Sequence, residues 1–294
     1  MSLESVDHCP ACHGRTFNPF LICKDYTTSG ESFHVEQCNK CGMVLTNPRP
    51  ESYQASTYYQ SAQYISHSSV PSGLLDSIYL IIRRFTIKWK FSLLKPYLRE
   101  GRLLDFGCGT GKFLEYCKSH QLEIYGVEPS KEAREIASSN NIPVVDSGEK
   151  LPDIKFNVIT LWHVLEHIYD LHATLGILKN HLEDNGTIFI AVPNRECHDS
   201  TFYKENWAGY DVPRHLWHFT KTSMANLLEQ ADLKIKRIIP MKLDAYYVSL
   251  LSEKHKNNKL TLTGILRAFW VAFSSNRKAG NKMDYSSLIY IVQK

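Results

Sequence analysis

Residues Leu103 to Gly111 read Leu-Leu-Asp-Phe-Gly-Cys-Gly-Thr-Gly, and Glu128 follows the next apolar run, Ile124 to Val127. Two apolar residues, an acid and three alternating glycines predict a buried strand that ends in a tight bend and runs straight into a helix, Lys112 to Ser119. Glycine suits a backbone that must turn sharply and let a ligand come within van der Waals contact. The acid one strand later stands where a carboxylate would grip a ribose diol. A chain built around this unit belongs to the α/β class.

The spacing also selects among nucleotides. A dinucleotide site is spaced Gly-x-Gly-x-x-Gly and offers a helix N-terminus to a pyrophosphate. Here the glycines fall at 107, 109 and 111, and Asp105 precedes the bend. A carboxylate at that point repels a diphosphate and favours a cation, and S-adenosylmethionine carries an ammonium, a sulfonium and no phosphate. No Gly-Lys-Ser/Thr follows, which excludes a P-loop. At this point the chain resembles the class I S-adenosylmethionine-dependent methyltransferases, whose first motif has the form Asp-x-Gly-x-Gly-x-Gly. The resemblance implies a Rossmann-like seven-stranded sheet with helices on both faces. It implies cofactor contacts from Asp105, Gly107, Cys108, Gly109, Gly111, Glu128 and Pro129, from Asp146 and Ser147 beside the adenine, and from Trp162.

Further strands are expected at Ile142 to Val145, Phe156 to Leu161, Gly186 to Val192, Lys234 to Ile239 and Ser287 to Val292. Uninterrupted β-branched and aromatic runs suit central parallel strands covered on both faces. Helices are expected over Lys131 to Asn140 and over Lys221 to Ala231, the latter capped near Thr220.

The N-terminal region reads differently. Cys9/Cys12 and Cys38/Cys41 form two Cys-x-x-Cys knuckles, the pattern that supplies four thiolates to one structural zinc ion. Gly14 and Gly42 are expected to permit the knuckle turns, and Thr27 to His34 to form a hairpin tip. Cys23 is expected in the core, and His13 and His34 are weaker ligand candidates than the cysteines. The alternative is a reduced thiol cluster without metal. The ribbon in front resembles that of deoxysugar C-methyltransferases and, more loosely, a zinc-bearing ribosomal RNA methyltransferase. With 294 residues, the chain divides on this reading into a zinc ribbon (1–48), an aromatic segment with amphipathic helices (49–100) and a methyltransferase domain (101–294) with a helical insertion near 243–284.

A net charge of +4 is too mild to argue for nucleic acid, and neither a signal peptide nor a stretch of transmembrane length is seen, so the cytoplasm is expected. The segment Glu51 to Ser72 is read as ordered, lying over the cofactor cleft, or as a solvated linker with packed tyrosines. Leu74 to Leu98 is read as a helix packed on its own domain, its basic residues at 83, 84, 88 and 90 solvated; the alternative is a membrane-surface helix. Leu262, Ile265, Leu266, Phe269, Trp270 and Phe273 form an apolar stripe, for which packing against the sheet is expected. A bound apolar acceptor, a dimer contact or a peripheral membrane contact are the alternatives.

Two histidine-bearing stretches are candidates for chemistry. Trp162-His163-Val-Leu-Glu166-His167 would set 163, 166 and 167 on one face of a helix. It resembles the Glu-x-x-Glu-His stretch of ubiquinone-biosynthesis O-methyltransferases, where those side chains are associated with a divalent metal, but His163 replaces the first glutamate. The trio is open to three readings: His163 as a cofactor contact or general base, a metal site, or Glu166 and His167 bracing the backbone. In Arg214-His-Leu-Trp-His218, His215 is the alternative base and His218 a buried, hydrogen-bonded core residue. The expected activity is methyl transfer to a small-molecule acceptor, a hydroxyl oxygen ahead of a sugar carbon. RNA methylation and a non-catalytic module that binds S-adenosylmethionine are the rivals.

Overall fold

The computed structural model describes residues 2–59, 85–98 and 101–294. Its N-terminal strands are β1 (Leu3–Glu4), β2 (Phe17–Lys24), β3 (Ser32–Cys38), β4 (Val44–Thr46) and β5 (Arg49–Pro50). β2 and β3 pair antiparallel around a turn that the Asp25 carboxylate holds by accepting from the backbone N–H groups of Thr27, Thr28 and Ser29. The tip therefore occupies residues 25–31, earlier than expected, and strand pairing has resumed by Ser32. A 3-10 segment, Ser52–Tyr59, follows. The remainder of the expected aromatic segment, through Ser72, and the first part of the expected helix, residues 74–84, lie outside the described residues. The rest of that helix is α1, residues 85–94, with Phe91 and Leu94 buried.

The main sheet is built from β6 (Arg102–Phe106), β7 (Glu123–Val127), β8 (Val144–Val145), β9 (Phe156–Trp162) and β10 (Leu182–Pro193). Between β10 and the last strands comes β11 (Trp217–His218), which belongs to the other sheet. β12 (Lys234–Pro240) and β13 (Ser287–Gln293) complete the main one. The order is β12-β13-β10-β9-β6-β7-β8, with β13 antiparallel to both its neighbours and the other pairs parallel. This is the expected Rossmann-like seven-stranded sheet. β8 is shorter than predicted, and Pro143 before it has no N–H for a ladder, although its carbonyl accepts from Gly126. Helices α2 (Lys112–Lys118), α3 (Lys131–Ser139), α4 (Leu171–His181), α5 (His198–Tyr203) and α6 (Lys221–Gln230) connect the strands. Side chains of Ser130, Asp170 and Thr220 cap α3, α4 and α6, the last in a reciprocal capping box with Ser223. Leu103, Leu104, Val158, Ile159, Ile190 and Ile289 are wholly buried between the layers.

The insertion between β12 and β13 folds as two helices, α7 (Asp244–Asn257) and α8 (Leu262–Ala279). The expected packing of the α8 stripe against the sheet is not what occurs. Small residues (Gly264, Ala268, Ala272, Ser275 and Ala279) form the buried face, because they allow close helix approach. Leu262, Leu266, Phe269, Trp270 and Phe273 point outward, and Ile265 is half-buried.

The small sheet is not a free-standing arm. β11 pairs with β4, extending it to the order β11-β4-β3-β2. Across this junction Arg214, 1% exposed, donates from Nη2 to Asp25 Oδ1 (2.9 Å) and to Asp211 Oδ1 (2.6 Å), from Nε to Asp211 Oδ2 (2.9 Å), and from Nη1 to the Tyr58 carbonyl (3.1 Å). Burial alone would raise the pKa values of Asp25 and Asp211. At Asp25 the backbone N–H of Ser29, with Arg214 next, reverses this, and at Asp211 Arg214 does so, taking it down to about 2. Such groups stabilise the fold above their ordinary carboxylate range, and that stability is lost as pH falls toward 2. Arg214→Met leaves two acids uncompensated and should cost roughly 3–5 kcal/mol at neutral pH. Urea denaturation should show the loss, and it should shrink below about pH 3, where the acids of the variant are neutral. An unchanged midpoint at pH 7 would refute the role given to Arg214.

Candidate functional site

At the carboxyl end of β6 the backbone bends through Gly107 and Gly109, with φ of +78° and +55°. A Cβ on Gly107 would lie 2.4 Å from a Val164 methyl, so that glycine makes room for the protein itself. A Cβ on Gly109 would meet nothing within 4 Å among the described residues, so the open face of the bend is there. Gly109 N–H donates to Glu128 Oε2 (2.8 Å) and Ser130 N–H to Oε1 (2.9 Å), which fixes the carboxylate at the end of β7 beside the open face. Pro129 is exposed beside it, Cys108 is buried against Gly126, and Gly111 caps α2 at φ +78°.

Asp105 is buried and accepts from Thr160 Oγ1 at 2.6 Å; burial pushes its pKa up to about 7. At the end of β8, Asp146 accepts from Lys150 through Oδ2 (2.8 Å), while its buried Oδ1 has no partner among the described residues. Ser147 follows in extended conformation. At the end of β9 the Trp162 ring meets Phe113 edge-on, and its buried Nε1 has no partner among the described residues. Lys90 of α1 sets its ammonium 4.4 Å from the Trp162 ring centroid. Burial brings its pKa down to about 8, against the pull of Asp105 and Asp244. The expectation that this basic face is solvated therefore fails at Lys90. Its i−3, i+1 and i+4 neighbours, Ile87, Phe91 and Leu94, pack against the domain, a spacing that marks 90 as an inward position.

The residues after Trp162 do not form the expected helical face. His163 takes φ +57°, and only a 3-10 turn, Leu165–His167, follows. His163 Nδ1 lies 3.4 Å from Glu166 Oε1 and its Nε2 3.2 Å from Asp244 Oδ2, at the start of α7. Burial would lower the His163 pKa, but the two carboxylates raise it to about 9, so it is an imidazolium at neutral pH. Glu166, wholly buried, is held ionised in return. Neither Glu166 oxygen accepts a conventional hydrogen bond among the described residues.

His215 reaches this point from the loop after Arg214. A Glu166 oxygen and one ring nitrogen each of His167 and His215 lie within 4.8 Å of one another, and the two rings meet edge-on at 4.6 Å. Each imidazole has Nδ1 beside a backbone carbonyl, Arg214 O for His167 (2.9 Å) and Gly209 O for His215 (2.8 Å). A carbonyl only accepts, so Nδ1 of each ring carries a proton and donates it. Tyr59 Oη also meets His167 Nδ1 at 3.0 Å. Burial, reinforced by His215, lowers the His167 pKa to about 4, which keeps it neutral. His218 is buried at 3.1 Å from Thr46 Oγ1, as expected of a core residue. Asp244 and Tyr59 were not legible as site residues: each lies far in sequence from the histidines it meets.

In the small sheet, the Sγ atoms of Cys9, Cys12, Cys38 and Cys41 lie within 4.8 Å of one another, with Cys9–Cys41 and Cys12–Cys38 both at 3.5 Å. Tetrahedral zinc with bonds near 2.3 Å needs sulfurs about 3.8 Å apart, so the cage is of the right size. Gly42 takes φ +74° as expected of a knuckle turn, whereas in the first knuckle His13 takes the positive φ (+55°). Gly14 serves by its lack of bulk: a Cβ there would come within 3.0 Å of Cys38 Sγ. Cys23 is buried away from the cage.

A family model described as a methyltransferase domain matches residues 82–237. A ubiquinone biosynthesis O-methyltransferase from Pelagibacter ubique is 28% identical over 64% of this chain and 81% of its own length. A protein of the same name from Glaesserella parasuis is 29% identical over 32% of this chain, and an uncharacterized protein of Methanocaldococcus jannaschii 32% identical over 40%. The chain spans only about half the length of these last two, 46% and 57%. A crystal structure from Galdieria sulphuraria, assigned to sarcosine dimethylglycine methyl transfer, superposes with a TM-score of 0.50 at 11% identity, covering 73% of this chain and 86% of that one, a likeness of fold. The chain belongs to the methyltransferase-domain family and is an S-adenosylmethionine-dependent methyltransferase.

The two glycines separate by experiment. Gly107→Ala and Gly109→Ala each place a side chain at positive φ, at about 1–2 kcal/mol, but only the first also collides with Val164. Gly107→Ala should lower the melting temperature more, and Gly109→Ala should weaken S-adenosylmethionine binding more per unit of lost stability, read by calorimetry. The opposite ranking would move the ligand away from Gly109.

Proposed function

We propose that this S-adenosylmethionine-dependent methyltransferase delivers its methyl group to a hydroxyl oxygen of a small-molecule acceptor held beside Glu166, His167 and His215. The observation that carries this reading is the pair of imidazoles pinned through Nδ1 to backbone carbonyls, so that Nε2 is the ring atom left to exchange a proton. The name borne by the Pelagibacter and Glaesserella relatives supports an oxygen acceptor.

The cofactor roles follow the geometry. Glu128 receives the ribose diol, the bend at Gly109 allows close approach, and Asp146 Oδ1, without a partner among the described residues, accepts from the adenine amine beside Ser147. Asp105 faces the cationic end of the ligand, and Trp162 walls the cleft. The Lys90 ammonium over the Trp162 ring feels the same acid, and a like-charged ligand would compete with it there. Bound S-adenosylmethionine supplies an electrophilic methyl group and a neutral thioether leaving group. His215 is the base: its Nε2 takes the hydroxyl proton as the oxygen–carbon bond forms, and Glu166 steadies the imidazolium. His163, already protonated, is a charged brace for Glu166 and Asp244 instead of a base, and His167 orients the acceptor.

A second reading rests on Glu166, whose buried oxygens accept no conventional hydrogen bond among the described residues. Two imidazoles and a carboxylate would hold a divalent transition metal more readily than magnesium, and such a metal would acidify the acceptor hydroxyl. In the small sheet we assign the four cysteines to a structural zinc ion, with no open position for catalysis. Residues 1–48 are read as this ribbon, 49–100 as the segment leading into the main domain, and 101–294 as the methyltransferase domain. No helix among the described residues is long and apolar enough to cross a membrane, and the cytoplasm is the proposed location.

Incubation with methyl-labelled cofactor and a metabolite extract should yield an O-methylated product. Label on a sugar carbon or in RNA would overturn the acceptor class, and no label in any fraction would favour a binding module. His215→Ala should lower kcat by about 10²–10⁴ with little change in cofactor affinity; an unchanged kcat would remove it as the base. Chelation that abolishes turnover, restored by a transition metal, would favour the second reading. Cys38→Ser should release zinc by elemental analysis and lower the melting temperature, and a full metal complement in that variant would refute the ribbon.

A further inference from the structure

Helix α8 is amphipathic in the reverse of the usual sense. Its small residues face the protein, and Leu262, Leu266, Phe269, Trp270 and Phe273, each at least 50% exposed, line a stripe at i, i+4, i+7, i+8 and i+11. Leu243 and Tyr247 of the preceding helical segment are also exposed. Isolated apolar side chains on a surface need no explanation, but a contiguous helical stripe of large ones marks an interaction site.

The charges around the stripe say what covers it. Between Ala245 and Met283 the single acid is Glu253, which is buried and paired with Arg267. The flanking acids are also engaged, Asp244 with His163 and Asp284 with Lys221. The exposed charges of the segment are Lys256, Lys259, Arg277, Lys278 and Lys282, all positive and placed toward the two ends of α8. A second copy meeting this face across a two-fold axis would bring like charges together. A sheet of anionic headgroups over apolar chains complements both the cations and the stripe.

We propose that the outward face of α8 docks this protein on an anionic lipid bilayer, its aromatic and leucine side chains entering the headgroup boundary while Arg277 and Lys278 of α8 and the flanking Lys256, Lys259 and Lys282 rest on the lipid phosphates. Trp270, beside Phe269 and Phe202, is suited to that boundary, since an indole has an apolar body and a polar N–H. The proposal rests on α8 and the cations that flank it, not on the nature of the methyl acceptor.

The test is flotation of the full chain with vesicles of phosphatidylcholine, with and without one-third phosphatidylglycerol. The chain should float with the anionic vesicles and remain largely unbound with the neutral ones. Phe269→Ser/Trp270→Ser should reduce binding at least about tenfold, and so should Lys256→Glu/Lys259→Glu/Lys278→Glu, a surface change whose folding is checked by its melting temperature. Equal binding to both vesicle types, or to neither, would overturn the proposal. So would a dimer in sedimentation equilibrium that the apolar variant dissociates, which would make the stripe a self-interface. A full methyl-transfer rate by a chain that does not float would sink the docking surface and leave the catalytic reading standing.

Discussion

A guanidinium buried between two carboxylates holds this molecule together at its least obvious seam. Arg214 joins Asp25 in the β2–β3 turn to Asp211 in the loop after β10, and the next residue is His215. Thr46 of β4 adds a hydrogen bond to the His215 carbonyl at 2.7 Å, and β11 joins β4 directly. The cysteine-bearing sheet thus forms one wall of the loop that brings an imidazole to Glu166. Removing two charges from water is costly, and it is recovered only where geometry is good and the remaining donors are satisfied. Here the pairing to Asp211 is bidentate and a further donor reaches the Tyr58 carbonyl. Such an arrangement tolerates little displacement, which is what an imidazole positioned from a loop requires.

The cysteine cage acts on the same seam from the other side. It closes the end of β3 at Cys38, and β3 carries β4 in register with β11. Order at the four sulfurs is therefore passed through strand pairing to the loop that bears His215. A metal at the cage would bear on the site without touching it, so loss of metal and loss of a base would be distinguished by stability and not by rate alone.

Much of the fold was written in local patterns. Continuous apolar runs marked the parallel strands, and capping residues marked the helix starts, because both signals depend on a few adjacent residues. The bend at 105–111 and the acid at 128 were legible for the same reason. Their detailed roles were not, since the packing of Val164 against Gly107 depends on a loop more than fifty residues away. The α8 stripe has the right period for core packing, and the period of its large apolar residues does not say which face turns inward. Small residues at 264, 268, 272, 275 and 279 decide it, because they let two backbones approach where leucines would hold them apart. The convergence of Glu166, His167 and His215 needed the Arg214 seam, which no local pattern encodes.

One departure from the resemblance drawn at the start has a physical explanation in Asp244. The ubiquinone-type stretch carries a glutamate where this chain has His163. With Asp244 at 3.2 Å and Glu166 at 3.4 Å from its ring nitrogens, a glutamate at 163 would bring three carboxylates into one buried space. Like charges so close cannot all ionise in a site withdrawn from water. An imidazolium there reverses the problem: it holds Glu166 ionised and ties the start of α7 to the turn that holds Glu166. The change at 163 and the acid at 244 are thus two halves of one arrangement, in which the helical insertion supplies a carboxylate that the stretch itself has given up.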